Sequence, residues 1–433
     1  MTKLSRILSA FSAFMAFFTL VRTRFGLLRV VFWIPKALAC GLSPLAALSG
    51  FLGAALGFVN RDWTSTILGL LGASVTARYI IKVTGSHLGF ERAFGSNWEA
   101  SIPPQVRQRM LSRRWTLLPK DPPKVSWIQD VHIATDPEDG DQLFADMWIP
   151  HEDVDPSGLA VIYLHGSGWH YGGKDMRTRR FFRHLTNQGH LIIDYAYRLA
   201  PRADLYQMLS DVKRVISWIK SNAISYGVAE NKIVLMGASA GAQLALLAAY
   251  TPNDPRFQPL DIQEDTSVCG VVSYYGPTDL IELHRYFVSK FRRIPVRKSF
   301  LARRPITWWE QRARRTGFLP ADGRFVTPTE ILPSLLGDLP ERAFDYYYQY
   351  SPINHVGDHC PPTLLIQGLH DFAGMVNQVR ALHEALFESG AKSILLELHN
   401  TEHGFDITPP SWSPATQAAT YDTERFLALL AFT

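Results

Sequence analysis

From residue 125 to the C-terminus, short continuous apolar runs alternate with helical stretches, and this alternation limits the possible folds more than any other feature of the sequence. Several runs are apolar throughout, as strands buried on both faces of a sheet must be. The predicted strands are Val125–Ala134, Gln142–Ile149, Leu159–Leu164, His190–Tyr197, Lys232–Met236, Cys269–Tyr275, Thr363–Gln367 and Ser393–Leu398. The predicted helices are Leu205–Tyr226, Ala240–Tyr250, Val376–Ser389 and Ala415–Leu430. We therefore predict an α/β fold with a mostly parallel central sheet of about eight strands and helices on both faces. Because no helix separates the first two strands, we expect them to form an antiparallel edge.

The first 82 residues form a different kind of segment. Ala37–Val59 is a run of 23 residues without a charge, which is long enough to cross a bilayer core of about 30 Å as a helix. Two apolar runs of 15 residues, Ile7–Val21 and Trp63–Ala77, flank it. Each is short for a full span and could lie in the interface or cross the bilayer with snorkelling ends. Residues 1–82 are therefore predicted to be a membrane-anchoring segment, with one to three spans and with the side of the membrane open.

Two other interpretations compete with a membrane anchor. Lys3 and Arg6 followed by Ile7–Val21 resemble a secretory signal peptide, but Arg22-Thr-Arg24 follows instead of a small-residue cleavage site. A buried helix of a soluble protein is the simpler interpretation of Ala37–Val59. Residues 83–124 are predicted to be a linker or cap-like segment that leads into the α/β domain of residues 125–433.

The charges are unevenly distributed along the chain. The net charge is +5, yet residues 1–82 carry nine basic residues and one acidic residue, and residues 283–324 carry twelve and two. The rest of the chain is acidic, and no nucleic-acid recognition module appears, which argues against a nucleic-acid partner. Residues 283–345 form a basic insert with interleaved aromatic residues. It could rest on anionic lipid headgroups or cover an acyl pocket, and a solvated loop is the alternative.

A Gly-x-Ser-x-Gly sequence, Gly237–Gly241, follows the apolar strand Ile233–Met236 and opens a predicted helix. This is the strand–turn–helix context in which such a motif exposes a nucleophilic serine, here Ser239. The helix N-terminus supplies the N–H of Ala240 for a developing oxyanion. The alternative is a Gly/Ser-rich helix cap without chemistry.

A second motif, His165-Gly-Ser-Gly-Trp169, directly follows the strand Leu159–Leu164. A Gly-rich backbone at a strand end can turn its N–H groups towards the mouth of the sheet. We therefore predict that the N–H groups of Gly166 and Ser167, together with that of Ala240, form an oxyanion hole. Taken alone, this motif would be an ordinary turn.

Asp371 and His403 complete the set of candidate catalytic residues. Asp371 follows the strand Thr363–Gln367, and His403 follows Ser393–Leu398, so both belong at the sheet edge that carries Ser239. A turn or helix cap is the plainer interpretation of Asp371. Three scattered cysteines are too few for a disulfide framework or a Cys-based zinc site. No metal or cofactor is predicted.

Together these motifs make residues 125–433 resemble the α/β-hydrolases, nearest the hormone-sensitive-lipase-like ("fold-3") esterases and lipases. His165–Gly168 matches the His-Gly-Gly-Gly oxyanion motif of that group, and Tyr197-Arg-Leu-Ala-Pro201 matches a second characteristic sequence. Ser167 departs from the pattern, because serine replaces a glycine and restricts φ more strongly. The order Ser239, Asp371, His403 is the order of this fold.

The resemblance implies a membrane-associated serine carboxylic ester hydrolase that acts on lipophilic or small acyl esters. Ser239 would attack the acyl carbonyl, His403 would be its base, and Asp371 would orient His403. The expected partners are a small-molecule or lipid ester and a membrane, and the oligomeric state stays open.

Two alternative functions remain at this stage. An amide hydrolase of the arylformamidase type would use the same triad, and His165–Trp169 also fits its His-Gly-x-x-Trp sequence. A non-catalytic binding protein on this fold usually lacks a triad member, whereas all three are present here. A transporter is disfavoured, because at most about 80 residues look membranous.

Overall fold

A single eight-stranded sheet forms the centre of the protein in the computed structural model, which describes residues 2–22, 26–291, 307–319 and 323–433. The strands are β1 Ser126–Thr135, β2 Gln142–Ile149, β3 Gly158–Leu164, β4 Leu191–Ala196, β5 Val228–Ala238, β6 Gly270–Tyr274, β7 Thr363–Gly368 and β8 Ser393–Leu398. Their order in the sheet is β1-β2-β4-β3-β5-β6-β7-β8. β1 and β2 pair antiparallel, β2 also pairs antiparallel with β4, and all other neighbours are parallel. The predicted α/β class, the eight strands and the antiparallel edge are confirmed.

Helices cover both faces of this sheet. Within the described residues they are α5 Gly89–Phe94, α6 Pro104–Arg107, α7 Arg179–Thr186, α8 Leu205–Ser221, α9 Ala240–Tyr250, α10 Leu280–Phe291, α11 Trp308–Arg315, α12 Ile331–Leu335, α13 Phe344–Gln349, α14 Val376–Glu388 and α15 Pro414–Phe432. Alternate residues of β3 enter two different cores. Ala160 and Ile162 face the core formed with α8, α9 and α14, whereas Leu159 and Val161 face the core formed with α7 and α15. The continuous apolar strands are therefore explained by burial on both sides.

The N-terminal helical bundle consists of α1 Thr2–Leu20, α3 Ser43–Val59 and α4 Trp63–Val83, with α2 Gly26–Gly41 lying between α1 and α3 in the chain. Small residues line its seams. A Cβ on Gly50 would lie 2.6 Å from the carbonyl oxygen of Gly69, and a Cβ on Gly53 would lie 2.7 Å from the backbone nitrogen of Ser9. Large apolar side chains such as Phe14 point outwards instead. Small residues at the helix contacts and apolar residues outside are typical of helices that pack in a membrane.

By length and composition, α1 and α4 could each cross a membrane among the described residues, and α2 with α3 gives a third crossing if the bent pair is counted as one span. The prediction of one continuous helix over Ala37–Val59 is wrong. α2 ends at Gly41, α3 begins at Ser43, and the two axes differ by 69°. Pro44 has no N–H to donate back to the Cys40 carbonyl, which accepts the Ser43 hydroxyl at 2.8 Å instead.

Residues 83–124 pack closely onto the α/β unit. Phe90, Trp98 and Ile102 are buried in the same core as α15. The Leu111 N–H donates to Glu424 Oε1 at 2.7 Å, so a hydrogen bond also joins this segment to α15.

Where the structure describes it, the basic insert contains short helices joined by loops. Residues 292–306 and 320–322 of the insert lie outside the described residues. α11 and α12 follow the first gap, and the part between them packs on the loop after β3. The ring of Tyr171 stacks on Phe318 with centroids 5.6 Å apart, and its hydroxyl accepts the N–H of Val326 at 2.7 Å.

Candidate active site

Ser239 stands in the sharp turn between β5 and α9. Its φ of 52° and ψ of −118° lie outside the regions that L-residues favour, so the surrounding structure holds this turn under strain. The two glycines of the motif allow the close packing. A Cβ on Gly237 would lie 2.4 Å from the carbonyl of Gly241, and a Cβ on Gly241 would lie 2.2 Å from the carbonyl oxygen of Leu164 in β3.

The structure brings Ser239, His403 and Asp371 together at the carboxyl ends of β5, β8 and β7. His403 Nε2 lies 3.0 Å from Ser239 Oγ, and His403 Nδ1 lies 2.9 Å from Asp371 Oδ2. Gln367 Nε2 donates to the same carboxylate oxygen at 2.9 Å, and the N–H of Ala373 donates to the other at 2.7 Å. The carboxylate is therefore buried and fixed, and it can orient the imidazole towards the hydroxyl.

The surroundings of His403 favour its protonated form. Burial by itself lowers the pKa of His403, but the charge and hydrogen bond of Asp371 act in the opposite direction and leave the pKa raised above 6.5. The ring of Tyr275 lies 4.5 Å from the imidazole centroid, and its hydroxyl donates to Asp406. Burial raises the pKa of Asp406. An imidazole in this environment can accept a proton from Ser239.

The loop after β3 carries the residues predicted to form the oxyanion hole. Gly166 lies beside the nucleophile, since a Cβ on it would be 3.3 Å from Ser239 Cβ. Ser167, Gly168 and Trp169 follow with φ values of 88°, 65° and 62°. Serine thus occupies a left-handed position at the one place where the motif departs from the family pattern. Ala240 is the first residue of α9, so its N–H has no carbonyl four residues back within that helix.

His165 stabilises the loop after β3 through contacts with Tyr197 and Gly166. Its ring stacks on Tyr197 with centroids 4.5 Å apart, and the Tyr197 hydroxyl donates to the His165 carbonyl at 2.8 Å. His165 Nδ1 lies 2.8 Å from the Gly166 carbonyl oxygen. Burial lowers the pKa of His165 to about 4, so the ring is neutral near pH 7 and Nδ1 can donate this bond.

The Tyr197–Pro201 sequence has a structural explanation. The Ala200 N–H donates to the Trp169 carbonyl at 3.0 Å, which ties this segment to the loop after β3. Arg198 is buried and forms ion pairs with Asp136 at 2.6 Å and with Asp211 at 2.7 Å. The motif therefore supports the site without supplying a reacting group.

Sequence analysis missed the contribution of α2. Trp33 Nε1 donates to the His403 carbonyl at 2.6 Å, and Lys36 lies 3.9 Å from Glu402. No local pattern could have indicated these contacts, because roughly 370 positions separate the partners. Across residues 2–22, 26–291, 307–319 and 323–433, no group of three or more His, Cys, Asp or Glu side chains could hold a metal ion.

Comparison with known proteins finds similarity to one family model and to several curated esterases. Residues 145–311 match the BD-FAE family model, a range that contains Ser239 and the loop after β3 but ends before Asp371. Three curated proteins of Mycobacterium tuberculosis are similar. The probable carboxylic ester hydrolase LipM is 29% identical over 65% of this chain and 57% of its own length, and esterase LipC is 29% identical over 60% and 57%. Esterase LipQ is 27% identical over 62% of this chain and 55% of its own length. The chain thus spans somewhat more than half of the length of these relatives.

Solved structures share the fold. Esterase 2 of Thermogutta terrifontis, phosphoramylated by tabun, superposes with a TM-score of 0.50 at 17% identity, covering 71% of this chain and 97% of that one. The bifunctional GH43-CE protein of Bacteroides eggerthii gives the same TM-score at 20% identity, covering 70% of this chain and 38% of that one. The chain therefore has the α/β-hydrolase fold, and its sequence is similar to those of carboxylic ester hydrolases.

Proposed function

We propose that this chain is a serine carboxylic ester hydrolase whose catalytic triad is Ser239, His403 and Asp371. The observation that carries the proposal is the hydrogen-bonded line from Asp371 Oδ2 through His403 to Ser239 Oγ, with separations of 2.9 and 3.0 Å. A nucleophile within hydrogen-bond reach of a base, and a base oriented by a third group, are the arrangement that acyl transfer needs. The names of the mycobacterial relatives favour esters over amides.

In the proposed mechanism, Ser239 Oγ attacks the ester carbonyl while His403 Nε2 takes the hydroxyl proton. The tetrahedral oxyanion accepts hydrogen bonds from the backbone N–H groups of Gly166, Ser167 and Ala240, each worth about 3–4 kcal/mol in comparable sites. His403 then gives its proton to the departing alcohol. Water repeats the sequence on the acyl-enzyme and releases the acid. Asp371 keeps Nδ1 protonated and stabilises the imidazolium throughout.

We further propose that the N-terminal helical bundle anchors the enzyme in a membrane and that the substrates include lipophilic esters. The outward apolar side chains of α1 and α4 and the small-residue seams between the helices support this proposal. Under the same proposal, residues 1–82 form the anchor and residues 125–433 form the catalytic domain. Residues 83–124 join the two and pack on the catalytic domain.

The test uses the full-length chain purified in detergent micelles. Wild type and Ser239→Ala are assayed with p-nitrophenyl esters from acetate to long acyl chains. The control is Ser225→Ala, because Ser225 is an exposed serine in the short 3-10 helix Ile224–Tyr226. We expect hydrolysis by wild type and by the control, and a loss of at least about 10³-fold in Ser239→Ala. Matched p-nitroanilides measure amide hydrolysis on the same samples. Faster turnover of anilides than of esters would replace the esterase proposal by the amidase alternative, and equal activity of Ser239→Ala and wild type would refute the assigned nucleophile.

A further inference from the structure

One face of α2 lies against the loops that carry Asp371 and His403. The residues on this face are Trp33, Lys36, Ala37 and Cys40, at the i, i+3, i+4 and i+7 spacing of a single helix face. Lys36, Ala37 and Cys40 are buried. Val31, Ile34 and Leu38 lie on other faces and are exposed. α2 therefore joins the helical bundle to the loops after β7 and β8.

Trp33 contacts both of these loops with a single side chain. Its indole N–H donates to the His403 carbonyl at 2.6 Å, and its ring lies 5.2 Å from the ring of Phe372, the residue after Asp371. A Cβ on Gly404 would lie 3.4 Å from Trp33 Cζ2, so the ring also covers the chain just beyond His403. The indole of Trp33 therefore contacts the chain beside both Asp371 and His403.

Lys36 strengthens the connection one helical turn further on. Its side chain is fully buried, and its ammonium group contacts His370 Nδ1 and lies 3.9 Å from Glu402 Oε1. Glu402 in turn accepts the Phe372 N–H at 2.9 Å. His370 directly precedes Asp371, and Glu402 directly precedes His403. The buried charges thus cross-link the two loops through α2.

Besides Trp33 and Lys36, a residue of α10 also contacts the loop that carries Asp371. The Tyr286 hydroxyl donates to the Phe372 carbonyl at 3.0 Å and is itself contacted by the Arg29 guanidinium of α2. The Asp371 loop is therefore held between α2 and α10. Loops are the most mobile part of a fold, whereas a catalytic side chain must be held within about 0.5 Å of its working geometry.

We propose, building on the esterase function above, that Trp33 is a positioning residue for His403 and that α2, which joins the helical bundle to the α/β unit, forms part of the active-site framework. The indole fixes the position of the His403 carbonyl and thereby the orientation of the imidazole relative to the backbone of its loop. The contact with Phe372 fixes the position of the loop that carries Asp371 relative to the loop that carries His403. The hydrogen bond between His403 and Asp371 then depends on the position of α2 against these two loops.

The experiment compares Trp33→Phe, which removes the indole N–H but retains an aromatic ring, with Trp33→Ala, which removes both. Trp63→Phe is the matched control, because Trp63 is an exposed tryptophan at the start of α4. kcat and KM are measured on p-nitrophenyl acetate across pH with full-length protein in micelles. The hydrogen bond lost in Trp33→Phe predicts a fall in kcat of about fivefold to tenfold at unchanged KM, with a larger fall for Trp33→Ala.

The pH profile separates positioning from a merely structural role. The charges of Asp371, Glu402 and Asp406 act on His403, and the ring of Tyr275 packs on it. Lys36 is connected to His403 only through its neighbour Glu402. None of these residues is substituted in the Trp33 variants. Burial lowers the pKa of His403, and the hydrogen bond with Asp371 raises it. If this hydrogen bond is weakened, the pKa of His403 falls, so the acid limb of kcat/KM should move to lower pH in both Trp33 variants. The rate of labelling of Ser239 by a fluorophosphonate should fall in parallel.

Two results would overturn the proposal. The first is wild-type kcat and an unshifted acid limb in both Trp33 variants. The second is that a smaller fraction of the Trp33 variants is labelled at Ser239 by the fluorophosphonate while the acid limb of kcat/KM is unshifted. This result would mean that Trp33 only supports folding. A wild type that neither hydrolyses esters nor reacts at Ser239 would instead refute the esterase function itself, and the role of Trp33 would fall with it.

Discussion

Gly241 is the residue whose replacement tests the packing of the proposed active site most directly. It lies in the first turn of α9, where that helix meets the end of β3. A Cβ added there would be 2.2 Å from the Leu164 carbonyl oxygen and 2.4 Å from that of His165. Ordinary van der Waals contact begins at 3.4 Å, and both obstacles are backbone atoms. In Gly241→Ala, β3 and α9 must therefore move apart by about 1 Å.

This displacement has two consequences of predictable size. Overpacking of this kind costs about 1–3 kcal/mol of folding free energy. Leu164 and His165 lead directly into Gly166 and Ser167, so the predicted oxyanion donors move with them. A shift of about 1 Å at a reacting centre reduces the rate by about 10²-fold. We therefore expect Gly241→Ala to lose about two orders of magnitude in kcat and to melt about 1–3 °C below wild type.

Gly173→Ala is the matched control. Gly173 lies in the loop after β3, has open space around its Cβ position and has no left-handed φ. Both variants are compared with wild type by thermal unfolding and by initial rates on p-nitrophenyl acetate. The control should match wild type in both measurements. Wild-type kcat and melting temperature in Gly241→Ala would show that β3 and α9 do not approach each other as described.

Three further predictions concern the pH dependence of activity, the role of Asp371 and the membrane topology. Because His403 must be neutral to act as a base and its pKa is raised above 6.5, kcat/KM should rise with pH through a limb above 6.5. Asp371→Asn should lower kcat by about 10³–10⁴-fold and move that limb to lower pH, since the Asp371 charge is the largest effect that opposes burial at His403; an unmoved limb would contradict the assignment. The Arg6–Asp62 ion pair joins the start of α1 to the α3–α4 turn, so three crossings by α1, the α2–α3 pair and α4 put the N-terminus and the α/β unit on opposite sides of the membrane. Protease protection of tags at the two termini should therefore differ, and equal protection of both tags would rule out three crossings.

The sequence alone determined the α/β class, all eight strands and the elements that carry the candidate catalytic residues. Each of these depends on local chemistry. A strand buried on both faces is apolar throughout, as β3 and β5 are, and a nucleophile turn needs small residues at positions 237 and 241. Because the ends of parallel strands meet at one sheet edge, Ser239, Asp371 and His403 could be predicted to meet before any distance was known.

Only the tertiary structure decided how the first 82 residues relate to the site. The uncharged run over Ala37–Val59 predicted one span, but Pro44 breaks the helical hydrogen-bonding pattern there, and α2 turns by 69° relative to α3. This turn brings Trp33 to the carbonyl of His403, some 370 residues away in sequence. Hydropathy records that a segment is apolar, but a contact between two distant segments depends on the shapes of both. The joining of the helical bundle to the candidate active site was therefore not readable from the sequence.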